Sequence, residues 1–542
     1  MTPPDATSGD PVESDNASAD VPAGDHGHGP KRGTTGRRIG FWLGLVAFGV
    51  LLALPVDPEN MAASRLAAVA ALMATWWVSD AIPLFATALL PLVLYPILGI
   101  MGGGAIAPSY FNSTIVLFLG GFLIALTMQR WDLHRRIALT IIHAVGGGPA
   151  RIVLGFMLAS AFLSMWISNT ATSVMMVPIG LAIVLQIEEE FGSELSHTFT
   201  VGLMLGIAYA ASVGGLTTLV GTPPNLSLQR IFEILFPDAP PIGFGQWIFT
   251  AAPIGVVMLA LAWFFITKVF YRAPDDLQVD DEVISQEKAA LGAISFEERV
   301  VMTVFVTTAF LWVFRTDLNL GFVTLPGWSR LVPYPELIDD GTVAITMAAL
   351  MFFIPARSTG VAGERVMGAE VIPRLPWDIV LLFGGGFALA AGFQETGLAL
   401  LIGEQFEALG SLHPFLIILL VCTTLTFLTE LTSNLATAEM ILPILASIAV
   451  VTEMNPLLLM IPATLSASCA FMMPVATPPN AIVFGSGRIT VGEMARVGIV
   501  LNLLGVLVIT VTMFLIGTVI FDIDPNVLPA WAETMATGGE IP

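Results

Sequence analysis

The chain has 542 residues, of which 55% are hydrophobic and 12% charged, where ordinary soluble domains carry about a quarter charged. That composition excludes a soluble globular protein and leaves a polytopic membrane protein. The net charge of −21 speaks against a nucleic-acid partner.

Residues 1–38 are polar, acidic and rich in Pro, Gly, Ser and Asp, which predicts a disordered cytoplasmic tail with no cleavable signal peptide. His26 and His28 read as part of that tail. Apolar runs then predict spans at about 39–56, 61–79, 82–101 and 112–129. A pair of short apolar segments follows at 149–187, then a span broken near 221–225, one at about 246–270, and a charged linker at 272–299. The second half repeats the plan: spans at about 300–315, 341–355 and 378–394, a pair at 413–452, a span broken near 476–480, and a last span at about 497–521, with 522–542 as a tail. Cys422 and Cys469 lie in apolar segments and read as small core residues.

An internal repeat carries the most information. Ser168-Asn169-Thr170-Ala171-Thr172-Ser173-Val174-Met175-Met176-Val177-Pro178-Ile179 returns as Ser433-Asn434-Leu435-Ala436-Thr437-Ala438-Glu439-Met440-Ile441-Leu442-Pro443-Ile444, with seven of twelve positions identical at an offset of 265. Each copy is followed by a second matched phrase, Gly221-Thr222-Pro223-Pro224-Asn225 and Ala476-Thr477-Pro478-Pro479-Asn480. A third marker, Ile115-Val116-Leu117-Phe118-Leu119-Gly120-Gly121-Phe122, matches Ile379-Val380-Leu381-Leu382-Phe383-Gly384-Gly385-Gly386. Polar, helix-breaking segments at matching places in two halves point to a transporter's binding site.

Charge sets the orientation. With the N-terminus cytoplasmic, seventeen Lys and Arg residues fall inside and four, Arg65, Arg230, Arg315 and Arg330, outside. The first Ser-Asn pair then begins and ends inside and the second outside, so the halves are inverted. This places the C-terminus outside the cell membrane. Three lysines in so acidic a chain point to a halophilic prokaryote, with a GC-rich genome as the competing explanation.

A helix that begins just after a Ser-Asn turn presents free N–H groups and a positive dipole end, and the helix that stops before it leaves free carbonyls. Four such breaks would hold an anion and small hard cations together. No Lys or Arg occurs from 152 to 229 or from 375 to 487, the windows containing all four breaks. A dianion bound there has only about half a charge from each helix N-terminus, so bound cations are the natural remaining source. Glu430 and Glu439 flank the second turn; Glu430 reads equally as functional or as a brace for the turn, and Glu439 has Val174 as its counterpart. Asp80, Asp132, Asp378 and Glu395 lie at span ends, where a solvated or capping role is expected. His134, His143, His197 and His413 are scattered without metal-ligand spacing, which argues against an enzyme.

These phrases resemble the divalent anion/sodium symporter family, the sodium-dependent dicarboxylate and sulfate transporters. The stretch from Ala467 through Phe471-Met472-Met473-Pro474 to Ala476-Thr477-Pro478-Pro479-Asn480 is similar to its most specific pattern, and Trp76-Trp77-Val78-Ser79-Asp80-Ala81-Ile82-Pro83 is also similar, with Asp80 where Glu is usual. The resemblance implies an all-α inverted-repeat transporter of about eleven transmembrane helices and two re-entrant hairpins, of the elevator type. It implies scaffold segments at 39–147 and 300–412, transport segments at 148–271 and 413–521, and a homodimer. Function would be sodium-coupled import of C4-dicarboxylates (succinate, malate, fumarate). A sodium-independent exchanger and a sulfate or citrate carrier of the same fold are the alternatives. Na+ would be held by Ser164, Ser168, Asn169 and Gly221 in one half and by Thr429, Thr432, Asn434 and Ala476 in the other. Substrate would meet Ser168, Asn169, Thr170, Thr222, Ser433, Asn434 and Thr477. Leu435 stands where many relatives carry Thr, which removes a hydroxyl beside the substrate.

Overall fold

A backbone surrounded by lipid must satisfy its own N–H and C=O groups, so apolar runs of this length become helices. The computed structural model describes residues 34–273, 282–321, 323–361 and 363–536. Among them nine helices are long and apolar enough to cross a membrane, from Thr35–Ala53 to Val491–Ile520. Among the described residues, strand pairing within a sheet is confined to Leu318–Asn319 against Thr324–Leu325.

The first hairpin is Pro149–Ser164 followed by Asn169–Phe191, and the second is Pro414–Thr429 followed by Asn434–Val451. Each first arm has 16 residues, about 24 Å at 1.5 Å per residue, short of the roughly 30 Å apolar core of a bilayer. The first broken helix is Ser193–Leu216 with Pro223–Leu235, the second Leu457–Ala467 with Pro478–Gly485. The breaks therefore lie upstream of the Pro-Pro pairs. Pro223-Pro224 and Pro478-Pro479 open the second halves at N1 and N2, where a missing N–H costs nothing and the fixed φ suits a helix start.

The two halves interleave. The first hairpin packs on Ser193–Leu216 and the second on Leu457–Ala467, while Pro223–Leu235 packs on Asn434–Val451 and Pro478–Gly485 packs on both Asn169–Phe191 and Ser193–Leu216. Helices Ser113–Arg130 and Asp340–Phe353 pair closely at Gly120, where a Cβ would stand 2.6 Å from that of Ala344.

Three edges differ from expectation. The tail expected over 1–38 lies outside the described residues up to 33, and the first helix already begins at Thr34. The linker expected over 272–299 contains helix Glu282–Ala290, with 274–281 outside the described residues. Glu287 pairs with Arg135, and Arg136 bonds Glu298 and the carbonyls of Leu291 and Gly292 at 3.0 Å, so the linker docks on the amphipathic helix Leu133–Val145. The tail from 522 carries helix Ala530–Ala536, whose Trp531 meets Phe232 and Phe236 edge-on at 5.4 and 5.3 Å.

Candidate functional site

Four helices begin at one cavity of about 240 Å³. They start at Asn169, Pro223, Asn434 and Pro478, and their N-caps Ser168, Thr222, Ser433 and Thr477 all line it. The sequence dictates this directly: Ser and Thr are strong N-caps because their side chains accept from the first free N–H groups. Ser168 accepts from Ala171 N at 3.2 Å and Thr477 from Asn480 N at 3.4 Å. The positive ends of four helix dipoles thus converge on a space with no Lys or Arg among its described lining residues.

Behind each tip the same clamp recurs. Ser164 Oγ donates to Asn169 Oδ1, and Thr429 Oγ1 donates to Asn434 Oδ1 at 2.7 Å, each across five residues. Thr429 also reaches Ala467 O at 2.8 Å, and Thr218 Oγ1 donates to Met165 O. These bonds tie each hairpin tip to the neighbouring helix break. Of the expected site residues, Ser168, Asn169, Thr170, Gly221, Thr222, Thr432, Ser433, Asn434, Ala476 and Thr477 line the cavity. Ser164 and Thr429 are fully buried one layer behind it, oriented toward the two asparagines. Thr432 bonds Leu428 O at 3.0 Å and Thr437 Oγ1 at 2.6 Å.

Close approach depends on glycine. A Cβ on Gly215 would lie 2.3 Å from Asn169 Oδ1, one on Gly214 2.2 Å from Ala161 O, and one on Gly221 2.6 Å from Gly215 O. The hairpin tip and the wound-back chain at the break occupy the space that side chains would take.

Sequence reasoning missed several residues. Asn225 and Asn480, the last residues of the Pro-Pro phrases, are fully buried braces rather than cavity groups. Asn225 Nδ2 donates to Thr218 O at 2.7 Å and to Gly215 O and Leu216 O at 3.3 Å; Asn480 Nδ2 donates to Ala470 O and Met473 O at 3.1 Å. Their duplication was the signal. Glu430, for which the sequence offered a brace and a functional role equally, is a brace: it accepts from the N–H groups of Phe471, Met472 and Met473 at 2.8–2.9 Å and from Asn502 Nδ2 at 2.7 Å. It gathers the amide donors of the second break, which runs from Ser468 to Thr477 with no helix to satisfy them.

The opposite wall comes from other helices. Trp77, Phe118, Phe122 and Leu382 face the cavity, with Asp80 and Asp378 among its lining groups. Phe118, Phe122 and Leu382 belong to the third repeated phrase, which could have located them. Asp80 caps Met61–Ser79 in a left-handed conformation (φ 51°) and pairs with Arg37.

An inverted repeat with paired hairpins and broken helices around one cavity defines a secondary membrane transporter by its architecture. Solved structures share the fold: the Alcanivorax borkumensis YdaH transporter (TM-score 0.54, 14% identity, covering 90% of this chain and 99% of that one) and Neisseria gonorrhoeae MtrF (TM-score 0.52, 14% identity, 90% and 98%). A family profile described as the sodium:sulfate symporter transmembrane region matches residues 37–523. Curated relatives include the sodium-dependent dicarboxylate transporter SdcS of Staphylococcus saprophyticus, 40% identical over 496 residues (90% of this chain, 93% of the relative), and that of Staphylococcus aureus strain MRSA252, 41% identical over 502 residues (91% and 94%). The chain belongs to the sodium:sulfate symporter family.

Proposed function

We propose that the protein imports C4-dicarboxylates such as succinate, malate and fumarate, coupled to entry of Na+. The observation that carries this reading is the cavity itself: four helix N-termini and neutral hydroxyl and amide groups face it, with no cationic side chain among the described lining residues. A dianion brought there from water loses its hydration, and helix ends of about half a charge each offset that loss only in part. Sodium ions entering with it supply the balance. The names of the staphylococcal relatives point to the same substrate class.

The donor set suits sodium. Ser164, Ser168, Asn169 and Gly221 in one half, and Thr429, Thr432, Asn434 and Ala476 in the other, offer neutral oxygens, the ligand type of hard cations. Among the described residues no three His, Cys, Asp or Glu side chains cluster as a transition-metal site would need. Ser168, Asn169, Thr170, Thr222, Ser433, Asn434 and Thr477 would meet the carboxylates. The hairpins and broken helices would travel as one body against a scaffold of the remaining helices, with two chains pairing through their scaffolds. The N-terminus would face the cytoplasm.

Uptake of labelled succinate into proteoliposomes tests the reading. The expected result is uptake driven by an inward sodium gradient and lost when potassium or choline replaces sodium. Uptake indifferent to sodium but driven by internal dicarboxylate would establish an exchanger instead. Competition by sulfate and citrate against succinate separates the substrate classes.

A further inference from the structure

Glu439 stands apart from every group assigned above. It lies on the second arm of the second hairpin and is fully buried. One oxygen, Oε1, accepts from Ser227 Oγ at 3.1 Å; the other, Oε2, is buried with no hydrogen-bond partner among the described residues. The carboxyl rests in a notch left by Gly386 of helix Trp377–Thr396. A Cβ on Gly386 would lie 2.3 Å from Glu439 Cδ and 2.5 Å from Oε2, while Gly385 and Gly384 leave the same room for Ala88 and Tyr110. Tyr110 donates its hydroxyl to Ala88 O at 2.6 Å.

An ionised carboxylate in this notch would be uncompensated. Burying one without a partner charge costs several kcal/mol even after relaxation, and a neutral acid with one hydrogen bond avoids most of that. Charged groups on the surrounding elements are occupied elsewhere or lie toward helix ends. On Pro223–Leu235, Arg230 and Glu233 pair with each other at 3.0 Å. On Met61–Ser79, Arg65 bonds Leu98 O at 2.8 Å, and Asp80 beyond it pairs with Arg37. Asp378 and Glu395 fall near the two ends of Trp377–Thr396, Glu404 and Glu407 on the turn Glu404–Ser411, and Glu533 on Ala530–Ala536. Pro414–Thr429 offers only the buried thiol of Cys422, and Leu457–Ala467 no titratable side chain.

We infer that Glu439 is a proton-binding site. Its carboxyl holds a proton while the second hairpin is seated in the notch at Gly386, and gives it to water when the hairpin leaves, the O–H electron pair staying on the carboxylate. Reseating then requires a proton to be taken back, so one step of the cycle depends on acid. The release step rests on the moving-hairpin reading proposed above; the protonated state of the seated carboxyl does not.

Two measurements on the full chain decide this. Infrared difference spectra of wild type minus Glu439→Gln in lipid vesicles should show the carbonyl stretch of a protonated carboxylic acid at neutral pH. Carboxylate bands in its place would overturn the inference. Uptake of labelled fumarate, with equal pH on both sides, should then fall at least about three-fold for wild type between about pH 6 and about pH 9, because an exposed glutamate is ionised there. Glu439→Gln reseats without a proton and should change less than about two-fold over the same range. Parallel profiles would refute the release step. Glu439→Met, neutral and of similar length, replaces the Gln variant if the latter does not fold. A wild type that carries no fumarate refutes the transport reading and leaves the spectrum to decide the proton.

Discussion

Replacing Gly215 by Ala places a methyl carbon 2.3 Å from Asn169 Oδ1 and 2.9 Å from its Nδ2. Ordinary contact requires more than 3.4 Å, so the amide must move by about 1 Å or the tip must separate from the break. Gly215 is in the last turn of Ser193–Leu216, where Ala is favoured over Gly by up to about 1 kcal/mol. Overpacking costs about 1–3 kcal/mol. The net cost is at most about 3 kcal/mol, within a typical stability of about 5–15 kcal/mol, so the fold survives and the displaced group is the terminal amide of Asn169, which loses its bond from Ser164. If that displacement removes about 1–3 kcal/mol from sodium binding, the half-saturating sodium concentration rises about five- to 150-fold. A sodium titration of succinate uptake reads this, with a thermal melt to show that the variant is folded. Gly121→Ala is the control, because its Cβ meets nothing nearer than 3.7 Å. A folded Gly215→Ala protein with the parent's sodium dependence would refute the placement of Asn169 in the coupling site.

Asn169→Ala and Asn434→Ala should each abolish sodium-driven uptake while the melting temperature stays near the parent's; near-normal transport in either removes the Ser-Asn tips from the mechanism. Glu430→Gln turns an amide NH2 toward backbone N–H groups that now bond a carboxylate, and should cost about 3 kcal/mol of stability, read as a lowered melting temperature; an unchanged melt removes its bracing role. Thr170→Lys puts a fixed charge at the cavity wall and should let the anion bind without sodium, measured as succinate protection against thermal unfolding in sodium-free buffer. Sodium dependence unchanged in that assay would undercut the charge argument.

The helices, the two hairpins and the four breaks were legible because each is a local pattern: an apolar run, a cap residue, a proline pair. The repeat then supplied long-range information that a single segment lacks, and so ten of the proposed site residues meet at one cavity. What stayed hidden depends on approach between segments distant in sequence. Nothing local distinguishes Gly215, pressed against Asn169, from Gly121, which has room for a methyl group. Asn225 and Asn480 carry the same side chain as Asn169 and Asn434, and only the path of the chain makes two of them braces and two cavity groups. The helices at 282 and 530 were hidden for another reason. Both are short and weakly apolar, and they are held by contacts to Arg135 and to Phe232 and Phe236 that no window of sequence contains.

The same comparison bears on why the two halves are not interchangeable. The first break, Thr217 to Thr222, is short, and neutral groups hold it: Asn225 on the carbonyls of Gly215, Leu216 and Thr218, and Thr218 on Met165. The second, Ser468 to Thr477, is longer, leaves more amide donors without a helix, and gathers them on Glu430, which occupies the place of Met165. Glu439, in the place of Val174, is a second buried acid on that side alone. Thr170 offers the cavity a hydroxyl where Leu435 offers only methyl groups. Neutral contacts and a fuller set of donors in one half, buried acids and an apolar wall in the other, divide the labour. On the function proposed above the first hairpin would carry more of the anion's contacts, and on the proton site inferred at Glu439 acid sensitivity would belong to the second.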